Sequence, residues 1–312
     1  MEDLRIIFMG TPEFGLESLK AINEKYGVIA VVCQPDRPSN RGVIKFSPIK
    51  QYAIDNNIRV YQPNKLSEEF IDILKENPNL IVTCAYGQIV PDDVLKYPMY
   101  GCINIHASLL PKLRGGAPIH RAIMEGYNET GVTIMKMVSK LDAGDIISQK
   151  KVVIDDEDNV GTLHDKLSVV GRDLVMETIP AIVNKTATYT KQDESNASFA
   201  WNIKKEDEKI DYQVTTREII NKIRGLNPWP GAYSLLGGRI VKIWNARYGD
   251  NYYSDALNGQ VTKLYNDGIG VKTANGELII TELQLEGKKR MSANEFVNGV
   301  VNKDVLVGRI FE

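Results

Sequence analysis

The sequence predicts an α/β protein in two parts: a mostly parallel sheet with crossover helices, followed by a smaller C-terminal β-barrel. Three observations predict it. The first half alternates short apolar strands with amphipathic helices. Its strands are near-continuous β-branched runs such as Val28-Ile29-Ala30-Val31-Val32, which suit burial on both faces of a parallel sheet. Past residue 200 the texture changes to short strands punctuated by glycine, as in a small barrel. A length of 312 residues accommodates two such bodies better than one core.

Taken in order, strands are expected at 4–9, 28–34, 80–85 and 102–106, and helices at 12–24, 48–56, 67–76 and 118–126. Gly10-Thr11-Pro12 ends the first strand and opens a helix, with Pro12 at a tolerated first-turn position. One glycine there is not the three-glycine dinucleotide fingerprint, so no nicotinamide cofactor is expected. From 131–137 to 149–154 the pattern turns hairpin-like, joined through Leu141-Asp142-Ala143-Gly144-Asp145, and a helix follows at 162–183. Residues 192–197 are polar and turn-rich and read as a linker. The expected division is therefore 1–189, a linker at 190–206, and 207–312. In the last part a helix at 215–226 precedes strands at 239–244, 259–265, 270–272 and 277–285, with a short helix near 293–300.

Hydrophobic residues make up 43% of the chain and charged residues 25%, an ordinary soluble balance. No run approaches the roughly 18 apolar residues of a membrane-spanning helix. The chain enters a strand at Leu4, which leaves no room for a targeting segment, so a cytoplasmic location and no membrane partner are expected. Cys33, Cys84 and Cys102 lie far apart in apolar runs, the pattern of buried free thiols in a reducing compartment. Neither CxxC nor HExxH spacing occurs, so no metal is expected. Net charge is −2, split as −4 over 1–200 and +2 over 201–312. That balance argues against wholesale nucleic-acid binding, and a phosphate-bearing partner would have to meet a local basic surface.

The chemistry concentrates in Cys102-Ile103-Asn104-Ile105-His106-Ala107-Ser108-Leu109-Leu110-Pro111. Strand alternation sends Asn104 and His106 out of one face, where the strand runs into a turn. An amide beside an imidazole can hold a carbonyl oxygen and move a proton, as acyl transfer requires; capping of backbone groups at a strand end is the plain alternative. A third group must set the imidazole's tautomer or take the proton, and Asp142 is the candidate, although Asp is also a common turn former. No Ser or Cys sits in a nucleophile elbow, so the attacking group belongs to a substrate. In Arg114-Gly115-Gly116-Ala117-Pro118, Gly115 and Gly116 either leave room for an acyl group near His106 or simply form a capped loop. His120 and His164 lie inside helices and are expected to be structural. The long loop from Gln34 to Lys45 carries Arg37, Arg41 and Lys45, which suit a phosphate backbone or a merely solvated loop.

Asn-Ile-His with Ser-Leu-Leu-Pro, Arg-Gly-Gly-Ala-Pro and Leu-Asp-Ala-Gly-Asp resembles the formyltetrahydrofolate-dependent formyltransferases. The start Arg5-Ile6-Ile7-Phe8-Met9-Gly10-Thr11-Pro12, the Gln-Pro-Asp-Arg-Pro loop, Val132-Thr133-Ile134-Met135, Ile223-Arg224-Gly225-Leu226-Asn227-Pro228-Trp229-Pro230-Gly231-Ala232 and Gly287-Lys288-Lys289-Arg290-Met291-Ser292-Ala293 resemble the branch of that family acting on methionyl-tRNA. The resemblance runs in order through essentially the whole chain. It implies a Rossmann-like formyltransferase domain and a C-terminal barrel of oligonucleotide-binding (OB-like) type. It further implies 10-formyltetrahydrofolate as formyl donor, the amine of methionyl initiator tRNA as acceptor, no metal, and a monomer. Catalytic residues would fall on Asn104, His106 and Asp142. Folate contacts would fall on Ser108, Leu109, Leu110 and Pro111, on Gln88, Ile89 and Val90, and on Leu141, Gly144 and Asp145. Arg37, Arg41 and Lys45 would meet the tRNA, although Val43 and Ile44 stand where family members often carry more basic residues. The alternative acceptor is a small amine such as an amino sugar nucleotide.

Overall fold

The computed structural model describes residues 4–37, 45–299 and 305–312. The expected tRNA contact Arg41, with the rest of 38–44, and the last position of the helix expected to reach Val300 lie outside the described residues. Contacts divide the chain into two compact units. One comprises residues 1–118, 129–153 and 164–201, the other 119–128, 154–163 and 202–312.

The first unit is built on β1 (Ile6–Gly10), β2 (Val28–Val32), β3 (Arg59–Tyr61), β4 (Leu80–Cys84), β5 (Cys102–His106), β6 (Glu129–Lys136) and β7 (Ile146–Val153). They form one sheet in the order β3-β2-β1-β4-β5-β6-β7. The first five strands run parallel, and β6 and β7 are added antiparallel. The order reverses between β1 and β4, and in such sheets ligands sit beyond the carboxyl ends of the strands at that switch. The segments after β4 and β5 leave at that end. β1 and β4 are buried along their whole length, as their apolar runs require.

Helices follow the strands: α1 (Leu16–Tyr26), α2 (Pro48–Asp55), α3 (Leu66–Leu74), α4 (Asp92–Lys96), α5 (Pro118–Met124), which from Ile119 on belongs to the second unit, and α6 (Val160–Val183), whose first turn does too. Ser47 caps α2 by accepting from the Lys50 N–H at 3.2 Å, with Pro48 in the first turn. β3 and α4 were not expected from sequence, because three and five residues are too few to show a period. Cys33, Cys84 and Cys102 are free and buried. Burial raises the Cys33 thiol to about 11 and that of Cys102 to about 12, and pushes Cys84 up as well.

In the second unit α7 (Lys205–Glu208) and α8 (Thr216–Gly225) precede β8 (Ala232–Leu236), β9 (Arg239–Gly249), β10 (Val261–Leu264), β11 (Ile269–Lys272), β12 (Glu277–Leu285), β13 (Met291–Ser292) and α9 (Ala293–Gly299). Thr215 and Glu218 form a reciprocal capping box on α8. The sheet runs β10-β11-β12-β9-β8, antiparallel throughout, with β13 on β12. Residues 309–312 close it. The Arg309 carbonyl accepts from Val261 N at 2.8 Å, while Glu312 and Leu235 exchange backbone bonds of 2.8 and 2.9 Å. The barrel interior is filled by Val241, Ile243, Val271, Leu278, Leu283 and Phe311. His120 bonds the Gly225 carbonyl at 2.7 Å, a structural contact. Among the described residues no helix is long and apolar enough to cross a membrane.

Candidate active site

β5 places Asn104 and His106 on one face, while Ile103 and Ile105 are buried on the other. The Thr83 hydroxyl of β4 lies 2.8 Å from Asn104 Oδ1. That contact occupies the carbonyl end of the amide and turns its NH2 end away from the sheet neighbour, toward whatever the strand end faces.

His106 is almost fully buried, and its Nε2 lies 3.0 Å from the Leu113 carbonyl. A carbonyl only accepts, so Nε2 carries the hydrogen and Nδ1 is the basic nitrogen of the neutral ring. Nδ1 lies 3.7 Å from Asp142 Oδ2. Leu113 adopts φ +58° and Asp142 φ +44°, both in the left-handed region. For a bulky residue such as leucine that conformation stores on the order of 1 kcal/mol or more, and such strain gathers at functional sites. Here it turns the Leu113 carbonyl onto the imidazole.

The same oxygen, Asp142 Oδ2, accepts from the Gly115 N–H at 2.8 Å. Gly115 has φ +116°, and a Cβ there would approach the Ala200 carbonyl oxygen to 2.8 Å. Glycine is obligatory at that position for both reasons. Gly144 is tighter still, since a Cβ would meet the Lys136 carbonyl oxygen at 1.7 Å.

The Ser108 hydroxyl is buried and donates to the Lys112 carbonyl at 2.6 Å, so it shapes the turn. Leu110 is buried, and its carbonyl accepts from Gln149 Nε2 at 2.8 Å. Leu109 and Pro111 are half-buried and Gly116 is exposed. After β4, the Gln88 side chain accepts from Leu66 N at 2.8 Å and donates to the Pro63 carbonyl at 3.0 Å. Val90 is buried, whereas Ile89 is 87% exposed and Leu141 half exposed, apolar surface suited to a flat ring. The Asp145 carbonyl accepts from Lys136 N at 2.9 Å. Arg37 and Lys45 are exposed.

Sequence reasoning missed the groups behind the site. Arg114 is wholly buried, and Gln192 and Glu194, in the stretch read as a linker, bond to it. Arg114 stands beside Gly115 and Gly116 in the sequence, where a lone cation among glycines and apolar residues is the signal of a buried charge.

Residues 4–179 match the family model described as formyl transferase, and residues 202–301 match that of the formyl transferase C-terminal domain. A methionyl-tRNA formyltransferase of Bacillus velezensis is 51% identical over 300 residues, covering 95% of this chain and 94% of the relative. That of Bacillus licheniformis is 50% identical, covering 95% of each. Among solved structures, an N-formyltransferase from Helicobacter canadensis, in complex with folinic acid and dTDP-3-aminofucose, superposes with a TM-score of 0.67 at 22% identity. The match covers 89% of this chain and 98% of that one. On the match of both family models in order, and on identity of about half over nearly its full length, this chain belongs to the formyl transferase family.

Proposed function

We propose that the chain transfers the formyl group of 10-formyltetrahydrofolate to the amino group of methionyl initiator tRNA, working as a single chain in the cytoplasm. The observation that carries the acceptor is the 51% identity to a methionyl-tRNA formyltransferase along 95% of the chain. The chemistry is supported by the group around His106.

In this reading the neutral amine attacks the formyl carbon, forming the new N–C bond. The developing oxyanion takes a hydrogen bond from the Asn104 amide. His106, with Nε2 already committed to Leu113, accepts the amine's proton at Nδ1, on the side facing Asp142. The tetrahedral carbon then collapses, the bond to N10 breaks with a proton delivered to that nitrogen, and tetrahydrofolate leaves. Ile89 and Leu141 offer apolar surface to the pterin, Ser108 to Pro111 and Val90 shape the folate site, and Gly115 and Gly116 leave space for the formyl group. Holding both substrates at one point contributes several kcal/mol through proximity, on the order of 7 or more where alignment is good.

The second unit takes the tRNA backbone. Arg239, Lys288 and Arg309, with Glu286 beside them, line an otherwise largely apolar groove on it, where the three cations would meet phosphates. Arg37, Arg41 and Lys45 serve the acceptor end. The test offers the protein 10-formyltetrahydrofolate with either charged initiator tRNA or a dTDP-linked amino sugar, and follows folate release by ultraviolet absorbance. Turnover with the tRNA alone is the expected result; turnover with the sugar alone would establish the small-amine reading.

A further inference from the structure

We infer that the segment 192–200 is a positioning strap for the site, with Gln192 as its central residue. Its carboxamide holds the Asp142 loop in the one conformation that aims the carboxylate at His106. This rests on the reading of Asn104, His106 and Asp142 given above.

Gln192 Nε2 donates to two carbonyls of the same loop, Asp142 at 2.8 Å and Gly144 at 2.7 Å. Its Oε1 accepts from Arg114 Nε at 3.1 Å and Nη2 at 2.8 Å. All four groups a carboxamide can bring to bear are used, and no other uncharged side chain of that length supplies two donors and a shared acceptor. Asp142 sits at φ +44°, a conformation that persists only when its surroundings over-determine it. The pair of bonds to its own carbonyl and to that of Gly144 does so.

Arg114 ties the loop to the other half of the site. A wholly buried guanidinium needs acceptors, and both side chains that supply them come from the strap. Glu194 takes Nη1 at 3.2 Å and Nη2 at 2.9 Å, and Lys140, two residues before Asp142, reaches Glu194 Oε2 at 2.7 Å. Arg114 directly precedes Gly115, the donor to the Asp142 carboxylate. The strap also fixes that stretch through its backbone. The Ser198 carbonyl accepts from Arg114 N at 2.9 Å, Ala200 N donates to the Arg114 carbonyl at 2.7 Å, and Ser198 Oγ accepts from Leu113 N at 3.0 Å. Leu113 in turn sets the tautomer of His106. Three inputs to the site trace to one segment: the imidazole's partner, the carboxylate's donor, and the backbone of Asp142.

The experiment is formyl-transfer kinetics on the full chain with 10-formyltetrahydrofolate and charged initiator tRNA, for Gln192→Met, Asp142→Asn and the double variant. Methionine keeps the length and packing but donates nothing. The expected result is a kcat lower by about 10- to 100-fold, with both KM values within about two-fold, since misplacement near the chemistry is felt in turnover. The two losses should not multiply: once Asp142→Asn has removed the carboxylate, there is nothing left to aim. Should Gln192→Met fail to fold, Gln192→Glu keeps the acceptor for Arg114 and replaces the two donors by an oxygen that repels both loop carbonyls, and it must show at least the same loss and the same non-additivity. A wild-type kcat in the Gln192 variant, or losses that multiply in full, overturns the strap. If Asp142→Asn itself turns over normally, it is the reading of the site that falls; a slow Asp142→Asn beside a fast Gln192 variant removes the strap alone.

Discussion

Strand β5 and the segment 192–200 fix neighbouring parts of the same site by opposite means. β5 lies between β4 and β6 and is held by two backbone ladders, so Asn104 and His106 inherit their places from many mutually reinforcing bonds. The other segment has a short 3-10 turn at Glu194–Asn196 and backbone bonds only to the stretch around Arg114; the Asp142 loop and the Arg114 guanidinium it holds through the individual side chains of Gln192 and Glu194. A ladder tolerates side-chain change because its bonds are backbone bonds. A set of single side-chain contacts has no such redundancy, so each member is felt on its own.

Several substitutions sharpen or break that contrast. On β5 the side chains carry chemistry while the backbone ladders carry the strand. Asn104→Ala or His106→Ala should lower formyl transfer on the order of 100-fold or more, and His106→Ala should also cost about 1–3 kcal/mol, since it leaves the Leu113 carbonyl without its donor. A fully active His106→Ala would remove the chemistry from this strand. Gly144→Ala comes next, because its Cβ cannot coexist with the Lys136 carbonyl. The loop must shift, at a cost of about 1–3 kcal/mol in a urea titration, and turnover should fall with it. Ser198→Ala leaves the Leu113 N–H without its acceptor and should cost about 1 kcal/mol, with a smaller fall in kcat.

Glu194→Gln is the mildest and is legible by pH. Its bonds to Arg114 and then to Lys140 hold the Glu194 carboxyl down from its ordinary 4.5 to about 2. A depressed carboxyl stabilises the folded state above its ordinary value, and that contribution is lost as pH falls towards about 2. Wild type should therefore melt slightly above Glu194→Gln near neutral pH, and the gap should close in the acid range. A gap that widens on acidification would contradict the assignment.

What the sequence disclosed follows the same division. The alternation of 102–106 gave β5 with the bounds it has, because a strand announces itself through its own neighbours. The apolar runs of β1, β2 and β4 did likewise, each displaced by a residue or two at its ends. His106 and Asp142, 36 positions apart in the sequence, lie within 3.7 Å. The clamp between Arg114, Gln192 and the Asp142 loop was not legible. Its contacts span 78 and 50 residues, and a glutamine in a polar stretch carries no local pattern. The one available signal was an arginine inside a motif of glycines and apolar residues, a position where a charge must find partners. In the second unit β8 was missed because it follows the Asn-Pro-Trp-Pro-Gly turn so closely that its five residues read as part of it.

The closing of the barrel by residues 309–312 bears on colloidal behaviour. The first sheet guards its margins cheaply: β3 has three residues, and β7 presents Lys150 and Lys151 to solvent. In the second unit the last four residues pair along the outer sides of β8 and β10, next to Ile210, whose N–H bonds the Tyr233 carbonyl. Deleting those four would bare N–H and C=O groups on both strands. The damage would show first as concentration-dependent aggregation, copy adding to copy along the exposed strands.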